Sequence, residues 1–241
     1  MATMLLALVP VAARCQGGPP LITNDPDTPG DGHWEINLAA TGARAAGTWQ
    51  FAIPDIDVNY GLGERIQLSL HAPWMHLRDN GGGWSAGLGA IELAARWRFL
   101  DQEQAGVSVA IQPHWASSWS TAAVRRGLAP AGDEFALPVQ VAHDFGTAVV
   151  GVEVGRNFLE HERDDEQAGL FMARDCPAQL QCLAELNTTW PATDNATTLL
   201  NLGLRRPVGE HLVVLASAGC ELGGGTERQK LLFYLGVQLL R

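Results

Sequence analysis

The side chains with chemistry to offer fall an even number of residues apart. Glu35 and Asn37 form one such set, and Asp55, Asp57 and Asn59 a second. Gln67 with His71, then Glu92, Arg96 and Arg98, then Gln112 with His114 repeat the pattern, and Gln140, Glu153, Glu185, Asn187 and Arg205 carry it on. Even spacing puts each set on one face of an extended strand. Apolar residues fill the positions between, so a wall built from such strands has one wet face. Two chemistries follow. The polar faces line a hydrated path that selects solutes by charge and hydrogen bonding, or the arginines pair with the acids and fill a plugged lumen.

The same residues also raise catalysis and metal binding. His71 and His114 are placed on neighbouring strands, both inward, where Asp55 or Asp57 could complete a metal site or a base. A histidine in a polar lumen is more often a lining residue. Ser69 beside His71 raises a barrel-embedded lipid hydrolase, but nothing marks an oriented base or an oxyanion site. We therefore assign no catalytic residue, no metal and no cofactor. The four cysteines include no CxxC pair, so a zinc site is not indicated. Cys176 and Cys182 could bridge in an oxidising compartment or remain two free thiols. Gly81-Gly82-Gly83 lacks the strand–loop–helix setting of a phosphate loop. The formal net charge is −10 and no Lys/Arg cluster occurs, which argues against nucleic acid as a partner.

The elements that carry these side chains read as strands throughout. In 33–42, Trp34, Ile36, Leu38 and Ala40 oppose Glu35, Asn37 and Thr41. Similar alternation marks 50–60, 65–75, 88–99, 106–116 and 230–240. Fainter strands are placed at 134–143, 147–158, 167–173, 180–189, 197–205 and 211–220. The 167–173 segment is the weakest, and the facing of 211–220 is ambiguous. Short connections such as Gly61–Glu64, Asp101–Ala105, Asp144–Gly146 and Arg206–Glu210 alternate with longer ones at Met75–Gly87, Ser117–Asp133, Trp190–Ala196 and Glu221–Gln229.

Charged residues make up only 17 % of the 241, and apolar ones 46 %. No apolar run reaches the roughly 18 residues of a membrane-crossing helix. Strands of this length, tilted, match the apolar band of a bilayer. The fold class predicted is all-β: a single antiparallel transmembrane β-barrel of about 12 strands, with short periplasmic turns and longer extracellular loops. The aromatic rings fall near strand ends, as interfacial girdles require: Trp34, Tyr60 and Trp97 on the turn side, with Trp49, Trp74, Trp115 and Trp190 on the loop side.

Three regions are expected. Residues 1–15 read as a degenerate or truncated secretory signal with no basic start. Residues 16–31, with four prolines, form an extended periplasmic lead-in that could itself plug the barrel. Residues 32–241 form the barrel, read as a monomer in outer-membrane lipid.

The lead-in Gly18-Pro19-Pro20-Leu21-Ile22-Thr23-Asn24-Asp25-Pro26-Asp27-Thr28-Pro29-Gly30, followed by Gly32-His33-Trp34-Glu35-Ile36-Asn37, resembles the start of the outer-membrane barrels named for the MetA pathway of phenol degradation. Asp55-Ile56-Asp57-Val58-Asn59-Tyr60-Gly61-Leu62-Gly63, Ala95-Arg96-Trp97-Arg98-Phe99-Leu100 and Phe233-Tyr234-Leu235-Gly236-Val237-Gln238-Leu239-Leu240 are similar to that family too. The resemblance spans roughly 18–240. It implies a transporter barrel for small, aromatic or apolar solutes, with no defined catalytic residues. Barrels of this kind usually end in an aromatic residue; this chain ends in Arg241. A structural or adhesive barrel with a plugged lumen is the alternative.

Overall fold

The computed structural model describes residues 17–45, 47–78, 81–192, 195–223 and 229–241. The segment read as a signal, with Cys15, lies outside the described residues, as do parts of the connections after Trp190 and Glu221.

The strands are β1 (Trp34–Ala45), β2 (Thr48–Leu62), β3 (Ile66–Arg78), β4 (Trp84–Leu88), β5 (Ile91–Leu100), β6 (Ser108–Ile111), β7 (His114–Ser117), β8 (Asp133–Ala136), β9 (Val139–Asp144), β10 (Ala148–Leu159), β11 (Asp165–Cys176), β12 (Leu180–Pro191), β13 (Thr197–Pro207), β14 (Leu212–Leu222) and β15 (Gln229–Leu240). Pairing is antiparallel throughout, and β1 pairs with β15 to close the sheet. Three wall strands are each broken in two: β4 with β5, β6 with β7, and β8 with β9. The result is a closed barrel of 12 strands. Its seam at the terminal rim is locked by Trp34 N–H donating to Arg241 O at 2.6 Å and Arg241 N–H returning to Trp34 O at 2.9 Å.

Two of these strands, read as continuous over 106–116 and 134–143, are divided at prolines. Pro113 and Pro138 have no N–H to donate, so each interrupts its ladder. Neighbouring strands bridge the gaps: Ala95 N–H bonds Pro113 O at 3.1 Å, and Gln112 N–H bonds Pro138 O at 3.0 Å. Elsewhere strands run past the alternating cores. β11 spans Asp165–Cys176, well beyond the expected 167–173. β3 reaches Arg78 and β4 starts at Trp84, so most of Met75–Gly87 is wall. Residues 118–132 form the long connection of the far rim and carry a short helix, α2 (Thr121–Arg125), whose N-cap Ser120 accepts from Ala123 N–H. Another short helix, α1 (Gln102–Ala105), sits in a turn at the terminal rim.

Inside and outside are inverted relative to a soluble protein. Leu68, Leu70, Val154, Leu170, Leu202 and Leu235 are exposed on the outer face, while Asn37, Gln140, Glu185 and Asn201 are buried within. Such an exterior suits hydrocarbon and would be costly in water. At the terminal rim the Trp34 and Tyr60 rings lie 4.6 Å apart, and Trp97 lies 5.6 Å from Phe99. At the other rim Trp49 stacks on Phe51 at 5.5 Å, Trp115 donates to Asp133 at 3.1 Å, and Trp190 is exposed; Trp74 is exposed on β3. No described helix is long and apolar enough to cross a membrane. Cys176 and Cys182 are joined in a disulfide across the β11–β12 turn, resolving the choice the sequence left open.

Candidate functional site

The lead-in enters the barrel. Its backbone is held by charged side chains aimed inward from strands on opposite sides of the wall. On β12, Glu185 accepts from Ile22 N–H at 2.9 and 3.1 Å and from Thr23 N–H at 2.8 Å. Arg205 on β13 donates to the carbonyls of Gly17 and Pro19, each at 2.6 Å, and Gly18 at 3.2 Å. Ser217 on β14 donates to Pro20 O at 2.8 Å. Across the lumen, Arg96 on β5 donates to Asp27 O at 2.6 Å and lies 3.7 Å from the Asp25 carboxylate. Arg98 reaches Asp27 at 3.1 Å. An extended segment rich in proline leaves many backbone groups unpaired, and these wall residues satisfy them. Asp27 lies before the first strand; burial and then the Asp25 charge push its carboxyl up to about 7, against the pull of Arg98 and Arg96.

Side-chain packing completes the fit. Leu21 joins Ala142, Val149, Phe171, Ala173 and Leu183 in a buried apolar cluster inside the barrel. Glycines make the room: a Cβ on Gly151 would fall 2.2 Å from the Phe171 ring, and one on Gly169 would fall 2.2 Å from Thr23 Oγ1.

Beside the lead-in a cavity of about 200 Å³ remains against β1, β2, β3 and β5. Its wall is a hydrogen-bonded network. Asn37 donates to Asp57 at 3.0 Å and to Glu35 at 3.3 Å, and Asn59 donates to Asp57 at 3.0 Å. Gln67 and Ser69 donate to Asn59 at 2.8 and 2.6 Å. His71 meets Asp55 at 2.6 Å. Glu92 and Gln112 line the same space, and Arg96 anchors on Gln112 Oε1 at 2.9 and 2.7 Å. Gln140 and Glu153 lie behind, 2.8 Å apart. Asn187 lies away from the cavity, 3.4 Å from Thr23.

His71 and His114 do not meet as neighbours. β5 lies between their strands, pairing with β3 on one side and β7 on the other. The strands read at 65–75, 88–99 and 106–116 already leave one strand between them, which corrects their placement as neighbours. Ser69 spends its hydroxyl on Asn59 and His71 turns to Asp55, so neither serves the other as nucleophile or base. Among the described residues no three His, Cys, Asp or Glu groups converge as a metal shell would require. Among the described polar residues inside the barrel, the sequence reading did not single out Asn201, which donates to Glu185 at 2.8 Å, Ser217, Gln238 or Tyr234. Tyr234 and Gln238 share a face opposite Phe233 and Leu235, and that alternation could have found them. Ser217 lay on the ambiguous strand.

No family model and no curated protein sequence matches the chain. Solved structures do share its fold. An outer membrane channel from Pseudomonas putida F1 superposes with a TM-score of 0.69 at 13 % identity, over 92 % of this chain and 99 % of that one. The KdgM porin gives 0.62 at 10 % identity, covering 85 % and 98 %. The NanC porin also gives 0.62, at 7 % identity, with the same coverage. At these identities the likeness is one of architecture: this chain is a closed, twelve-stranded barrel of the kind those channels and porins share.

Proposed function

We propose that the chain is a Gram-negative outer-membrane barrel giving passive or gated passage to small solutes, with residues 17–28 as the gate. The observation that carries this reading is the cavity left beside a docked lead-in, inside a sheet whose exterior is apolar. The channel and porin names of the structural neighbours support it. The lead-in is held by hydrogen bonds, the ion pairs of Arg96 with Asp25 and Arg98 with Asp27, and one small apolar cluster, so its release needs no rearrangement of the wall. We read residues 32–241 as one barrel domain that acts as a monomer. The resemblance to the MetA-pathway barrels favours aromatic or apolar solutes.

The dense anchoring of the lead-in favours a second reading, a structural barrel with a permanently closed lumen. Planar-bilayer recording separates the two. Stepwise currents that phenolic compounds block support passage of aromatic solutes. Currents indifferent to phenols leave passage standing and remove that solute class. Silence from protein shown to be folded supports the closed barrel.

A further inference from the structure

The cavity beside the lead-in is lined unevenly in charge. Five carboxylates face it, from Asp25, Glu35, Asp55, Asp57 and Glu92, against one guanidinium, Arg96, and one imidazole, His71. Arg96 lies 3.7 Å from Asp25, and His71 lies 2.6 Å from Asp55. The hydrogen bonds to Asp57 come from the neutral amides of Asn37 and Asn59, which orient its carboxylate without balancing its charge.

A separate observation points to a ligand. Asn37 is 1 % exposed and lines the cavity, yet its Oδ1 has no hydrogen-bond partner among the described residues. Its Nδ2 is committed to Glu35 and Asp57, so the orphan oxygen cannot be satisfied by turning the amide over. Carboxylate and amide oxygens are the ligands hard cations take. Among the described residues no three His, Cys, Asp or Glu groups converge, so these acids act on a cation through their field and not as a closed shell. The cavity, about 200 Å³, has room for a small cation with water.

Resting on the passage reading, we infer that this side of the lumen is a path for small monovalent cations, steadied at Asn37 Oδ1 and Asp57 within the field of Glu35 and Glu92. Rings of carboxylates exclude anions by the same field that draws cations in.

The test is the reversal potential of the folded protein in a planar bilayer under a KCl gradient. A potential of the sign set by potassium supports the inference, as does its collapse toward zero in Asp57→Asn or, should that variant not fold, in Glu92→Gln. A chloride-directed potential, or none under the gradient, overturns the inference and leaves passage intact. If the folded protein carries no current, passage fails and binding is read instead from thermal unfolding in detergent. A higher Tm in KCl than in equimolar N-methylglucamine chloride, lost in Asp57→Asn, supports the cation site; equal values overturn it.

Discussion

Glu185 is the residue whose loss should open the barrel. Its carboxylate is 2 % exposed and accepts the N–H groups of both Ile22 and Thr23, and it also takes Asn201 Nδ2. In Glu185→Ala two backbone donors of the lead-in lose their acceptor inside the lumen. An orphaned buried donor costs about 1–3 kcal/mol, and hydrogen bonds to a charged acceptor lie toward the upper part of that range. Water entering the vacated space returns part of it, leaving about 3 kcal/mol of weakened docking. At about 1.4 kcal/mol per factor of ten, the equilibrium between docked and released lead-in shifts by on the order of a hundredfold. Glu185→Gln keeps one acceptor oxygen and should fall between wild type and alanine. The assay is open probability in planar bilayers, with heat-modifiable gel mobility confirming that each variant is folded. Folded Glu185→Ala with wild-type open probability would refute the argument that this carboxylate holds the gate.

Three further outcomes follow from the same geometry. In Gly169→Leu the new side chain must occupy the space of Thr23, whose Oγ1 would be 2.2 Å from the added Cβ, so the lead-in is displaced and open probability rises; an unchanged value counts against the docked position. Asp27 titrates near 7, above its ordinary 3.8, so it takes up a proton on docking. Docking therefore strengthens as pH falls through 7 toward 3.8 and is weakest above 7, and opening should be greater at pH 8 than at pH 6; equal opening at both would contradict this. Reduction of Cys176–Cys182 should add two maleimide-reactive thiols to the exposed Cys220 and cost about 2 kcal/mol at most, since the bridge closes a short loop. Labelling that is the same before and after reduction would contradict the bridge.

The alternation of β1 and β3 made the wall legible because each side chain there meets only lipid or lumen. Glu35, Asn37 and Gln67 accordingly sit where periodicity put them, and so does Arg96 on β5. The rule fails where a third environment intervenes. Phe171 and Leu215 are apolar yet buried inside, Phe171 in the cluster with Leu21. A two-environment pattern has no place for an apolar residue facing inward, which is why the facing of 211–220 stayed ambiguous and β11 read as weak. The lead-in's composition suggested a plug, but its anchors Glu185 and Arg205 lie more than 160 residues away in sequence, and no local pattern pairs them. Register across the wall was equally hidden: even spacing turns His71 and His114 inward but does not give the residues they pair with on the strand between, Glu92 and Ala94.

The most direct measurement of the wall itself is spin-label accessibility along β3 in lipid vesicles. Labels placed singly at Leu68, Ser69, Leu70 and His71 should alternate, with 68 and 70 reached by dissolved oxygen and 69 and 71 by a water-soluble nickel chelate. Uniform access of the nickel chelate at all four positions, or no alternation, would contradict a sheet with hydrocarbon on one face and water on the other.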